Sequence, residues 1–328
     1  MTAALLTASP ARDVTPGSPL DGLLHTHGVH GTHEADGTVP SYPPYDAHLR
    51  VLARRGRPVA EALAELVVHG ARRAADRLRP RYEASGRTDG HVCAAVPASL
   101  AHSPGATEAG ARALHAAVGR PNLMISVPAT EPGLAAITAC LSAGIGVHAV
   151  SVVSLERYAR LVDAALTGLE RAVDGGLDPA AVPLAVSLAT GALDGASARR
   201  PGEPGADAGP ERPVGLGAAT VHLARRMREE IHGSERWRAL AGLGARPHRL
   251  SWDLPPGPHA HDTTHTRAWR ILDALPSYGL CYRELTAAAE AADLARAAHR
   301  QRRTAHLVGT ALLGAPAEPF LTSEQGRG

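Results

Sequence analysis

Short apolar runs of strand length recur along the chain at residues 28–33, 91–96, 122–127, 147–153, 184–189 and 248–253. Between them lie the longer stretches 59–78, 107–118, 133–143, 154–173 and 218–231, each with apolar residues at helical spacing. In the first of these, Val59, Leu63, Leu66, Val67 and Leu78 fall on one broad stripe, as a helix laid on a core requires. The alternation of strand-length and helix-length patterns predicts a parallel α/β fold. A longer helical pattern covers residues 282–313. Weaker strand signals near 5–7 and 277–280 bring the count to about eight βα units, the number in a closed barrel.

Residues 195–215 break the rhythm with several Gly and Pro and little apolar content, and read as a flexible loop. Neither flank starts a new kind of pattern, so a loop within one barrel is expected rather than a linker between domains. The organisation expected is a single barrel over 1–328, with a C-terminal helix and tail from 282.

Composition narrows the class. A hydrophobic fraction of 44% supports a sizeable core. With aromatics at 3% and one Phe, that core is built from Ala, Leu and Val. A net charge of +2 and pI near 8.6 give no reason to expect a nucleic-acid partner. The run His299, Arg300, Arg302 and Arg303 reads as a solvated helix face. Cys93, Cys140 and Cys281 are far apart and odd in number, which suggests a reducing compartment and no disulfide framework. No stretch approaches membrane-spanning length, and the expected location is cytoplasmic.

One segment reads Asn122-Leu-Met-Ile-Ser126-Val-Pro-Ala-Thr130. Other phrases are Leu100-Ala101-His102, Gly144-Ile145, Ser154-Leu-Glu-Arg-Tyr158, Gly168-Leu-Glu170, and Trp237 with Ala239-Leu-Ala241 and Gly244-Ala-Arg-Pro247. In their order and spacing these resemble the transaldolase family, most clearly over 90–170 and more loosely over 28–250. The resemblance implies a single (β/α)8 TIM barrel, in agreement with the strand and helix count.

In that family the strand matching 122–130 runs N-L-x-I-K-x-P-A-T, and its lysine forms a Schiff base with a sugar ketone. Here that position is Ser126, and none of the 34 basic side chains in the sequence is a lysine. Carried over residue by residue, the family's first-strand aspartate becomes Ala8 and its second-strand asparagine Ala35. The third-strand glutamate, its acid/base, becomes Ala95. The fifth-strand N-V-T becomes His148-Ala149-Val150, while the sixth-strand serine survives as Ser187 with Ala189 and Ala192 after it. Trp252-Asp253-Leu254-Pro255-Pro256 replaces the seventh-strand W-A-S-T-G.

These replacements gather at strand ends on one barrel face, where barrel enzymes hold their sites. They lead to the expectation of a repurposed barrel, inactive as a transaldolase. It would be a lyase, isomerase or cyclase on a small carbonyl metabolite of specialised metabolism, working without a lysine imine. The alternative is a non-catalytic pseudoenzyme that binds a metabolite or a partner protein. The candidate catalytic residues are His148, Ser126, Glu34, Asp36 and Asp253, with Ser187, Ser151 and His33 for substrate binding. His148 can serve as acid/base near neutral pH, and equally suits a hydrogen-bonded interior histidine. Ser126 as a nucleophile would need a base and oxyanion donors, and otherwise reads as a small polar filler.

Two histidine-rich stretches, His25, His27, His30 and His33, then His259, His261, Asp262 and His265, lack a diagnostic metal spacing. No metal or cofactor is expected. The expected partner is a small molecule at the barrel mouth, with no nucleic acid and no membrane; the oligomeric state is left open.

Overall fold

A computed structural model describes residues 46–198, 215–253 and 265–313. Five parallel strands form one sheet in sequential order: β1 (Val92–Ala95), β2 (Leu123–Pro128), β3 (Val147–Val152), β4 (Leu184–Leu188) and β5 (Arg249–Trp252). The helices are α1 (Asp46–Arg54), α2 (Val59–Ala84), α3 (Pro104–Val118), α4 (Glu131–Ser142), α5 (Leu155–Asp174), α6 (Thr190–Ala198), α7 (Leu216–His232), α8 (Glu235–Gly242), α9 (His265–Ala274) and α10 (Tyr282–Leu312). Each strand followed by a helix is the βα repeat that the apolar pattern predicts.

Local chemistry starts these helices where the strands end. Ser103, Thr130, Ser154 and Ser234 each accept a hydrogen bond from the backbone N–H three residues on, capping α3, α4, α5 and α8. Pro104 opens α3 at the position where a missing N–H costs nothing. Along α5 the buried residues Leu155, Tyr158, Leu161, Val162, Ala165, Leu166, Leu169 and Ala172 make the apolar stripe that lies on the sheet.

Strand alternation sorts the sheet into two faces. Ile125, Val127, Val147, Ala149, Val186 and Leu188 point toward the helices and join the main core. Cys93, Met124 and Ala185 form a separate small cluster on the other face, in the alternation that also carries Ser126, His148, Ser187 and Ser251. Helix α10 is fastened across the C-terminal end of the sheet by polar anchors. The Gln301 side chain accepts from Ala98 N–H at 2.7 Å and donates to the Val96 carbonyl at 3.3 Å, while Ser151 donates to Asp293 at 2.7 Å.

Three expectations are corrected or fall elsewhere. Residues 275–278 form a 3-10 turn instead of a strand, because Pro276 has no N–H to give a ladder and Gly279, at φ 68°, ends the turn. The first residues of the 195–215 stretch complete α6, whose start is held by Asp253. The strand signals at 5–7 and 28–33 lie outside the described residues. Among the described residues no helix is long and apolar enough to cross a membrane.

Candidate functional site

Four side chains on neighbouring strands form one hydrogen-bonded row across the inner face of the sheet. Ser126 on β2 meets His148 Nδ1 at 3.1 Å, and His148 Nε2 on β3 meets Ser187 Oγ at 2.7 Å. Ser187 on β4 in turn meets Ser251 on β5 at 2.8 Å. The sheet register makes the row, since Ser126 stands opposite His148 and Ser187 opposite Ser251.

One set of donor directions satisfies all the bonds of the row. Ser251 donates to the Val186 carbonyl at 3.3 Å, and a carbonyl only accepts. With its proton so used, Ser251 accepts from Ser187, and Ser187 accepts from His148 Nε2–H. That leaves Nδ1 as the bare nitrogen, accepting the Ser126 hydroxyl. A buried imidazole held at both nitrogens is thus oriented as a base toward Ser126.

On the β1 side the described neighbours of Ser126 are the small residues Cys93 and Ala95. Ala95 is exposed and lies directly across the β1–β2 register from Ser126, while Ser126 and His148 are themselves buried. Burial pushes the neighbouring Cys93 thiol up to about 12, with its contact to Ser126 acting in the opposite sense. A protonated thiol therefore stands beside the hydroxyl at neutral pH.

Of the residues singled out from sequence, the structure brings Ser126, His148 and Ser187 together. Ser251, the fourth member, is not among them; its signal is the alternation in Arg249-Leu-Ser251-Trp, which puts it in phase with Ser187. Asp253 is exposed and accepts from Thr190 Oγ1 and Gly191 N–H, each at 2.9 Å, so its bonds go to the start of α6 and not to His148. Ser151 is buried at φ 61° in the irregular end of β3 and binds Asp293 of α10, outside the row. His33, Glu34 and Asp36 lie outside the described residues, as do the first histidine-rich stretch and His259, His261 and Asp262.

Above the strand ends, a cavity of about 960 Å³ separates α10 from the loops after β1 and β3. Arg157, Arg160, Arg283, Glu290 and His102 contribute its charged and polar lining, and Ala98, Ala287 and Ala291 part of its apolar wall. Arg157 bridges Glu131 at 2.9 Å and Glu290 at 3.4 Å, tying the starts of α4 and α5 to α10.

A family model described as Transaldolase/Fructose-6-phosphate aldolase matches residues 36–191. Transaldolase 1 of Streptomyces avermitilis is 38% identical over 242 residues, covering 73% of this chain and 64% of that protein. The transaldolase of Thermobifida fusca is 39% identical over 248 residues, covering 72% of this chain and 67% of that protein. Transaldolase 2 of Streptomyces coelicolor is 39% identical over 208 residues, covering 63% of this chain and 56% of that protein. The chain thus spans roughly three fifths of the length of these relatives, between 56% and 67%.

These names overturn the expectation of a barrel inactive as a transaldolase and turned to lyase, isomerase or cyclase work in specialised metabolism, and that of a pseudoenzyme. Both rested on replaced residues alone, whereas the curated relatives at this level of identity carry the transaldolase name. The matched motifs, the run of parallel βα units and these identities agree: the chain belongs to the transaldolase family and has that family's (β/α)8 barrel fold.

Proposed function

We propose that this chain performs transaldolase-type aldol transfer on a phosphorylated ketose, with the Ser126–His148–Ser187–Ser251 row as its proton-handling group. The observation that carries the reading is His148, fixed at both ring nitrogens on the strand beside the family's lysine position. The relatives' names supply the reaction class. Because the sequence holds no lysine, the ketose carbonyl is held by hydrogen bonds and not as a side-chain imine.

The proton of the ketose C4 hydroxyl passes to Ser126 Oγ as the Ser126 proton passes to His148 Nδ1. The C3–C4 bond breaks, its electron pair moves to C3 and the C2 oxygen as an enediolate, and an aldehyde leaves. An acceptor aldehyde then bonds to C3, and its oxygen takes the proton back through Ser126. Charge on His148 is spread along Ser187 and Ser251, which keep the ring oriented in both states. The substrate enters at the barrel mouth below α10. A cytoplasmic setting fits this activity and is supported by Cys93, Cys140 and Cys281 all being free thiols.

The test is transfer from fructose 6-phosphate to an aldose phosphate acceptor, followed by mass spectrometry with and without borohydride. Transfer that survives borohydride is expected, since only the N-terminal amine could form an imine. Absence of transfer, or ketose-dependent inactivation by borohydride, would sink the reading.

A further inference from the structure

The row has a second chemical consequence. Ser126 has a base at 3.1 Å, and that base is held from behind by Ser187 at 2.7 Å. This is the order nucleophile, base, orienter that activates a serine hydroxyl in acyl transfer, with a hydroxyl pair in place of the usual carboxylate. We propose that Ser126 is a nucleophile that accepts the acyl group of activated esters, meaning aryl esters and thioesters, with His148 as its base and Ser187 and Ser251 as positioning residues.

Access and chemistry both point to that class. Ser126 is buried but keeps 5% of its surface, and its register neighbour Ala95 is exposed and carries only a methyl group, so a small planar acyl group meets little bulk at this strand end. The Cys93 thiol beside Ser126 stays protonated at neutral pH, so it does not compete as a thiolate and is a donor for charge developing on the acyl oxygen. A thiol is a weak donor, which favours esters whose leaving group needs little help over amides and alkyl esters.

In the step, Ser126 Oγ bonds to the acyl carbon while its proton moves to His148 Nδ1. The bond to the leaving oxygen or sulfur breaks, and that atom leaves as the alcohol or thiol with the proton from Nδ1–H. Water, deprotonated by the same nitrogen, later adds to the acyl carbon; Ser126 regains its proton and the acid departs.

The inference rests on the geometry of the row and not on aldol transfer. The full chain is treated with an alkyl fluorophosphonate and, separately, with p-nitrophenyl acetate, and the adduct is located by peptide mass spectrometry. The expected result is one adduct at Ser126, none in Ser126→Ala, and labelling slowed about 10²- to 10⁴-fold in His148→Gln. Ser187→Ala keeps the nucleophile and base but loses the orienter, and a smaller slowing, about tenfold, is expected of it. Circular dichroism melts establish that each variant is folded before its rate is read. No label on the folded wild-type chain, label on Cys93 or scattered over surface serines, or an unchanged rate in His148→Gln overturns the proposal. Labelling of Ser126 without aldol transfer would sink only the aldol reading, and transfer without labelling only this one.

Discussion

Asn122 holds the start of β2, the strand that carries Ser126, and its replacement by aspartate gives a sharp test of that support. The side chain is fully buried, and its amide N–H groups go to the carbonyls of Ala75 and Gly90, both at 2.9 Å. In Asn122→Asp the introduced carboxyl must face two carbonyl oxygens. Ionised, it would be repelled by both in a dry site, so it folds protonated and keeps one of the two bonds. Holding a carboxyl of ordinary pKa near 3.9 protonated at pH 7 costs about 4 kcal/mol, and the lost bond about 1 kcal/mol more. The sign follows from a raised folded-state pKa: the penalty is largest at pH 7 and shrinks as pH falls toward 4. Urea unfolding of both chains at pH 7 and pH 4 should show a stability gap of about 5 kcal/mol narrowing to about 1 kcal/mol. Asn122→Ala, with no carboxyl to titrate, should cost about 2 kcal/mol at either pH, since it also removes an Oδ1 left without a partner among the described residues. A gap that is small at pH 7, or independent of pH, would refute the reasoning.

His148→Gln keeps a donor and an acceptor but cannot titrate, so transfer or acylation should fall about 10²- to 10⁴-fold while the melting temperature moves by only a few degrees; a parallel loss of both would make His148 a core residue and nothing more. Around Tyr158, whose hydroxyl meets His248 Nε2 at 2.6 Å, burial lowers His248 well below its ordinary value, helped by His232 and Arg228, and burial lowers His232 to about 4. Lowered histidines favour the fold above about 6.5, and that contribution drains away as pH falls toward 4, so melting temperatures should drop over that interval and less so in His232→Gln; a flat profile would count against the cluster. Gly168→Ala should destabilise by about 2 kcal/mol in chemical denaturation, because the added carbon would lie 2.9 Å from both Leu141 Cβ and the Thr138 carbonyl where α4 and α5 meet; an unchanged midpoint would show that the helices can separate freely.

Within the described residues, the strands and the longer helices were legible in the sequence to within a few residues, because burial on one face or both leaves a local period in the chain. The caps Ser103, Thr130 and Ser154, which accept from N–H groups only three residues away, were supplied by the structure. The short helices α1, α6, α8 and α9 were not legible, since so few turns carry too little periodicity to stand out. Ser126, His148 and Ser187 could be nominated through family motifs, yet their union could not. It depends on the register of parallel strands, which brings together residues 22 and 39 apart, and then adds Ser251, 64 further on. The same holds for α10, whose low-contrast alanine pattern says nothing of where it docks until Gln301 and Asp293 find the ends of β1 and β3. Asp253 went the other way, from candidate acid to helix cap, because the nearest unpaired N–H groups in the folded chain were those opening α6. Periodicity is a property of neighbours along the chain, and so the sequence determined the elements; hydrogen bonds between strands join groups that only folding makes neighbours, and so the tertiary structure decided the site.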